Sequence, residues 1–255
     1  MAMVNNNIGN FVRFFEIDAL RGIAVIAMIA FHFLFALNFL AGYSFELSSG
    51  LFLLMGRFVA IVFVFLVGIS LTLSYNRAKK NLKGFSLFSK YLCRGVWIFF
   101  FGMVITLITF LFSPQYTVFF GVLQCIGLSI IFAFPFLEFR VLKGRATAFF
   151  LGWIVIIAGF FLAGISIQSP WLLWIGLRPI GFQSFDYFPL LPWFGLVLLG
   201  IFAGNVFYLN GKRSFKLPSL GANPLIAFFS FLGRHSLIIY FLHFPVLIGL
   251  VELLA

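Results

Sequence analysis

Long apolar runs alternate with short polar breaks along the whole chain. Seven runs, at about 17–40, 51–74, 92–112, 118–137, 147–165, 188–208 and 235–254, are close to the ~20 residues a helix needs to cross a ~30 Å hydrocarbon core. None alternates with the period of a half-buried strand, and in lipid a helix satisfies its own backbone. The pattern predicts an all-α polytopic membrane helix bundle of about seven transmembrane helices. It forms a single integral-membrane domain over 1–255, preceded by a polar tail at 1–15. Two apolar stretches are too short to cross. Ala222–Phe231, with Pro224 suited to a first helical turn, predicts an interfacial helix within a cytoplasmic-side segment at 211–233. Trp171–Phe182 predicts an outer interfacial or re-entrant lid, because Trp concentrates at that level. Gly200 and Gly204 form a small-xxx-small packing signal in the sixth run.

Composition agrees. The 255 residues are 63% hydrophobic and only 9% charged, with a mean hydropathy of +1.16, whereas soluble domains carry roughly 25% charged residues. The net charge of +11 sits in short loops without a basic domain or stacking motif, which excludes a nucleic-acid partner and makes the charge a topology signal. Of the 17 basic residues only Arg57 and Arg178 lie outside the tail, the first-span start and the loops 76–94, 140–145 and 210–234. That band is cytoplasmic, so the N-terminus lies inside and the C-terminus, with Glu252, outside. The first ten residues are polar and no cleavage-type site follows a short apolar core, so the first span is expected to remain. Cys93 and Cys125 fall at opposite depths and are not expected to bridge. A multi-pass protein of the cell membrane follows, with the bilayer as its constant partner and a homo-oligomer left open.

Ionisable groups at membrane depth are expensive and mark function. At ~1.5 Å per residue, His32 lies roughly 22 Å from an inner start at Ile17, and Arg57 and Gln124 about 9 Å from the outer starts of their spans. They share one outer-leaflet level and are expected to line a common polar pocket. The alternatives are that Arg57 snorkels, that His32 is a packed interior histidine, and that Gln124 is an interhelical hydrogen bond. Asp186 and Tyr187 stand at the outer mouth of the sixth span, and Asn38 near the end of the first. His243 lies roughly 12 Å from the inner end of the last span, not obviously beside His32. Bonding a carbonyl freed by Pro245 and a catalytic role both suit it. On the inner side, Asp18 and Arg21 pair at i, i+3 or meet a ligand. Arg234 and Ser236 open the last span as a candidate anion site. His32, His235 and His243 lack the neighbours of a metal site.

Ile17-Asp18-Ala19-Leu20-Arg21-Gly22 followed by Phe31-His32-Phe33 resembles the prokaryotic relatives of the heparan-α-glucosaminide N-acetyltransferase catalytic domain. The likeness continues through Val67-Gly68-Ile69-Ser70, Gly121-Val122-Leu123-Gln124, Asp186-Tyr187-Phe188-Pro189 and Leu232-Gly233-Arg234-His235-Ser236 to His243-Phe244-Pro245. The first-span arrangement is also similar to membrane acetyltransferases that decorate glycoconjugates. The resemblance implies a transmembrane acyltransferase taking an acyl group, acetyl foremost, from cytoplasmic acyl-CoA to a hydroxyl or amine at the outer side. The acceptor would be a small molecule or a glycan.

On that reading His32 is the base, with His243 a second base or guide for the thioester. Arg57 or Gln124 stabilises the oxyanion or holds the acceptor. Asn38, Asp186 and Tyr187 meet the acceptor, while Asp18, Arg21, Arg234 and Ser236 meet the donor. Ala36 stands where prokaryotic relatives often carry an aspartate, so no carboxylate partner for His32 comes from its own helix. The first outer loop, Ala41–Gly50, holds Glu46 and no histidine. A transporter or channel lined by the same polar residues, and a membrane subunit without turnover, are the competing classes.

Overall fold

The computed structural model describes residues 14–46, 49–138, 144–218 and 223–254. Arg13, Arg140 and Lys143 of the predicted basic band, most of the polar tail, and Ala222 lie outside these described residues. Within them the chain forms eight α-helices: α1 (Phe15–Leu40), α2 (Gly50–Ala78), α3 (Gly84–Phe112), α4 (Val122–Glu138), α5 (Arg145–Ala163), α6 (Leu190–Phe207), α7 (Pro224–Arg234) and α8 (Ser236–Leu254). The architecture is the all-α polytopic bundle that the apolar runs predict. Six helices, all but α4 and α7, are long and apolar enough to span a membrane.

Three boundaries differ from those predicted. The basic segment 76–94 is mostly helix, with α2 running to Ala78 and α3 starting at Gly84, so Lys90 and Arg94 ride on a helix rather than a loop. Hydropathy marks where the bilayer ends, and a helix need not stop there. α4 begins at Val122 instead of 118, because side-chain caps gather at Gly121 and Val122. Trp171–Phe182 holds a 3-10 turn at Pro170–Leu172 and one strand, β2 (Arg178–Pro179), of a two-residue parallel pair with β1 (Ser166–Ile167). Trp171 is 83% exposed there.

The chain divides into two compact units, Met1–Val59 with Leu217–Ala255, and Ala60–Lys216. In the first unit α7 starts as the sequence predicts. Pro224 occupies its first turn, and the Asn223 side chain caps it by accepting from the Leu225 N–H at 2.9 Å. α7 crosses α1 at Gly22 and Gly233, so closely that a Cβ on Gly22 would overlap the Phe229 carbonyl and one on Gly233 the Asp18 carbonyl. Only two glycines allow this approach. Ser230 Oγ donates to the Phe15 carbonyl at 3.2 Å across the same contact. After a one-residue break at His235 the chain continues into α8.

In the second unit the small residues that membrane helices use for close packing sit at each main crossing. Gly68 faces Gly200, Gly204 faces Thr72, Gly95 faces Gly127 and Gly152 faces Gly195. The predicted Gly200/Gly204 stripe therefore packs on α2. Residues 184–188 are fastened to 116–120 by Phe185 N–H to the Tyr116 carbonyl (3.0 Å), Phe188 N–H to the Phe120 carbonyl (2.9 Å) and Ser184 Oγ to the Thr117 carbonyl (2.9 Å). At the other ends of α2, α3 and α4, Tyr75 donates to Glu138, Tyr91 donates to Ser74 Oγ at 3.2 Å, and Lys79 lies over the Tyr75 ring.

Candidate active site

α1 forms because an unbroken apolar run in lipid has no cheaper way to satisfy its backbone. His32 sits on it ten residues beyond Gly22, and His243 sits ten residues beyond Gly233. Gly22 and Gly233 touch, and α8 starts three residues beyond Gly233, so it begins beside α1. His243 Nε2 lies 3.1 Å from His32 Nδ1, with ring centroids 4.9 Å apart. This corrects the expectation that the two stand at separate depths. That estimate assumed α8 starts at the inner level of α1, whereas it starts beside the Gly22 crossing.

The hydrogen bonds decide the tautomers. His243 Nδ1 is 2.6 Å from the Tyr240 carbonyl, which only accepts, so Nδ1 carries a proton. The partner is Tyr240, not the Phe241 carbonyl that Pro245 frees. In a neutral His243 the Nε2 is then a lone pair, and the 3.1 Å contact requires that His32 Nδ1 donate. Neutral His32 therefore presents its own lone pair at Nε2. Phe31 and Phe244 pack edge-on to the ring at 5.8 and 6.1 Å, and Ala36, one turn on, is buried. The imidazole that meets His32 comes from another helix, α8.

At the Gly22/Gly233 crossing the predicted donor-side residues come together. Arg21 Nη1 is 3.2 Å from Asp18 Oδ1 and 3.3 Å from the Gly233 carbonyl, so the i, i+3 pair forms and also ties α1 to the end of α7. Arg234 is exposed, with its Nε donating to the Ser230 carbonyl at 3.2 Å, and Ser236 is buried at the start of α8.

Other predicted residues hold backbone. Asn38 makes a reciprocal pair with Phe45, its Nδ2 donating to the carbonyl at 2.6 Å and its Oδ1 accepting from the N–H at 2.9 Å. It thereby closes the loop after α1. Gln124 is buried and caps its own helix, Oε1 accepting from the Gly121 N–H at 3.0 Å, while Nε2 donates to Thr106 Oγ1 on α3 at 2.8 Å. Asp186 accepts from the Val122 N–H at 3.0 Å, placing its negative charge at the positive end of α4. Arg57 is exposed on α2 and belongs to the first unit, with both histidines; Gln124 and Asp186 belong to the second.

Tyr187 donates to the Leu173 carbonyl at 2.8 Å. Burial pushes its phenol up to about 12, with the nearby Arg178 guanidinium pulling the other way. A folded value above the ordinary ~10 means that this contribution to stability is complete below about pH 10 and is lost as pH rises toward 12. Alkaline unfolding should show wild type losing stability over that window more steeply than Tyr187→Phe. Superimposable profiles would contradict the assignment.

Among curated proteins and among solved structures no significant match is found. The family model described as heparan-alpha-glucosaminide N-acetyltransferase, catalytic, matches residues 13–245, a span that contains both histidines and the α1/α7 crossing. The chain therefore belongs to the heparan-alpha-glucosaminide N-acetyltransferase catalytic-domain family and is a multi-pass membrane protein of acyltransferase type.

Proposed function

We propose that this protein moves an acyl group, acetyl first among them, from cytoplasmic acyl-CoA to a hydroxyl or amine at the outer side of the cell membrane. The acceptor is a sugar or glycoconjugate. The observation that carries this reading is the His32–His243 pair, which leaves a lone pair on His32 Nε2 within a family whose members transfer acyl groups. Transfer needs a base for the acceptor proton and donors for the tetrahedral oxyanion.

His32 Nε2 takes the acceptor proton as the acceptor oxygen or nitrogen attacks the thioester carbonyl. As it does so, the Nδ1 proton of His32 can pass to His243 Nε2, so the added charge is shared between two rings. Collapse of the tetrahedral intermediate breaks the C–S bond, and the proton returns through His32 to the departing thiolate. Arg57 holds the acceptor. Gln124, Asp186, Asn38 and Tyr187 act through the backbone they fasten. Arg21, Arg234 and Ser236, with Asp18 orienting Arg21, receive the donor's phosphates at the crossing. The ~15 Å from there to the histidines is a distance an extended pantetheine arm covers. The chain works as one membrane domain, N-terminus inside and C-terminus outside.

Two measurements on purified protein in detergent test the reading. Acetyl-CoA at about a hundredfold its Kd should stabilise the fold by about 2.7 kcal/mol, and thiol release should depend on an added amino sugar or sugar alcohol. Neither stabilisation nor acceptor-dependent release would reject the enzyme and favour a transporter.

A further inference from the structure

Arg57 stands on an outward face of α2, seven residues beyond Gly50 and so ~10 Å into the helix. Its flanks are apolar and open, with Leu54 63% and Phe58 67% exposed. Among the described residues no carboxylate forms an ion pair with Arg57 and no carbonyl accepts from it. A guanidinium at such depth is costly unless it finds a counter-ion or reaches the surface. A charge kept at that cost, facing lipid, finds its counter-ion among lipids. The phosphate group is the lipid anion whose oxygens match the guanidinium fork.

The segments that carry Arg57 and His32 pack on each other. Gly56, the residue before Arg57, lies on the ring of Phe31, the residue before His32. A Cβ there would sit 3.0 Å from Phe31 Cε2. The Phe31 ring in turn packs 5.8 Å from the His32 ring. Arg57 and His32 each directly follow a residue of this contact, within one compact unit.

We propose that Arg57, with the apolar face of Leu54 and Phe58, binds the phosphate of a lipid-borne acceptor and presents the group attached to that phosphate to His32. The word acceptor rests on the acyltransferase reading; the binding of a lipid phosphate does not. Free phosphate would gain nothing from the apolar flanks, and a neutral isoprenoid nothing from the guanidinium.

The test uses the full chain in phosphatidylcholine nanodiscs, with farnesyl phosphate as probe and farnesol and inorganic phosphate as controls. Farnesyl phosphate should bind more tightly than either control, and Arg57→Gln should weaken it by about tenfold or more, with Arg57→Lys between. Thermal melting of each variant checks that the fold is kept. Equal binding of farnesol, equal binding by Arg57→Gln, or no binding above the phosphatidylcholine background would overturn the site, the last by showing that bulk headgroups satisfy Arg57. His32→Ala should bind the probe as wild type does. Binding that survives in a protein with no turnover on any acceptor would therefore reject the enzyme while leaving the site. With turnover present, an amino sugar linked to the lipid phosphate should be acetylated about tenfold or more faster than the free sugar. Equal rates would overturn the acceptor role.

Discussion

Replacing His32 with alanine lowers acceptor-dependent thiol release by about 10²–10⁴-fold, the usual contribution of a positioned base, while leaving acetyl-CoA stabilisation in place. The lone pair on His32 Nε2 is the group removed, and the Gly22/Gly233 crossing, where the donor is proposed to bind, lies ~15 Å away along α1. His243→Gln should cost less and move the pH profile of kcat. It disturbs the tautomer and charge sharing of His32 without taking away the atom that accepts the proton. The double variant should be no worse than His32→Ala alone, because residues acting as one unit are non-additive. Full activity in His32→Ala would sink the assignment. An additive double variant would separate the two histidines functionally despite their 3.1 Å contact.

Substituting valine for Gly22 or Gly233 should destabilise the protein by about 3 kcal/mol or more, at the upper end of overpacking costs. The neighbours that a Cβ would meet there are backbone atoms, the Phe229 and Asp18 carbonyls, which cannot rotate aside as a side chain would. Gly249, also helical but with open space around its Cβ position, is the control. Gly249→Ala should be neutral or stabilising by up to about 1 kcal/mol. Thermal unfolding of the three variants decides this, and a Gly22→Val protein as stable as wild type would show that the crossing is not tight. Any crossing variant that still folds should also lose activity, since that contact holds the start of α8, which carries His243, beside α1, which carries His32.

Much of this was legible before any coordinates. The long apolar runs are a demand of the bilayer, written locally, and six of them carry through to helices long and apolar enough to span it. The first-turn proline of α7 and the Asp18–Arg21 pair are also local, at spacings of a few residues. The ends of α3 and α4 were not legible. Hydropathy is blind to a helix that continues into water, and the cap on α4 comes partly from Asp186, 64 residues after the Val122 it serves.

The candidate site divides in the same way. His32, Arg57 and Gln124 are conspicuous because lipid makes any polar side chain costly, but conspicuousness does not distinguish a base from a brace. Gln124 is a brace, its amide spent on Gly121 and Thr106. Asn38 likewise spends its amide on Phe45.

A membrane-spanning helix bundle of the acyltransferase family, with His32 deep in an apolar run, was legible from the residues alone. Those properties follow from run length, charge placement and motif order. Helix packing brought His243 of α8 to His32 of α1 and left Arg57 exposed on α2, neither of which any local pattern shows. The physical reason is that a side chain at membrane depth meets whatever the helix crossings bring to it. Here one backbone contact between Gly22 and Gly233, 211 residues apart, sets that register.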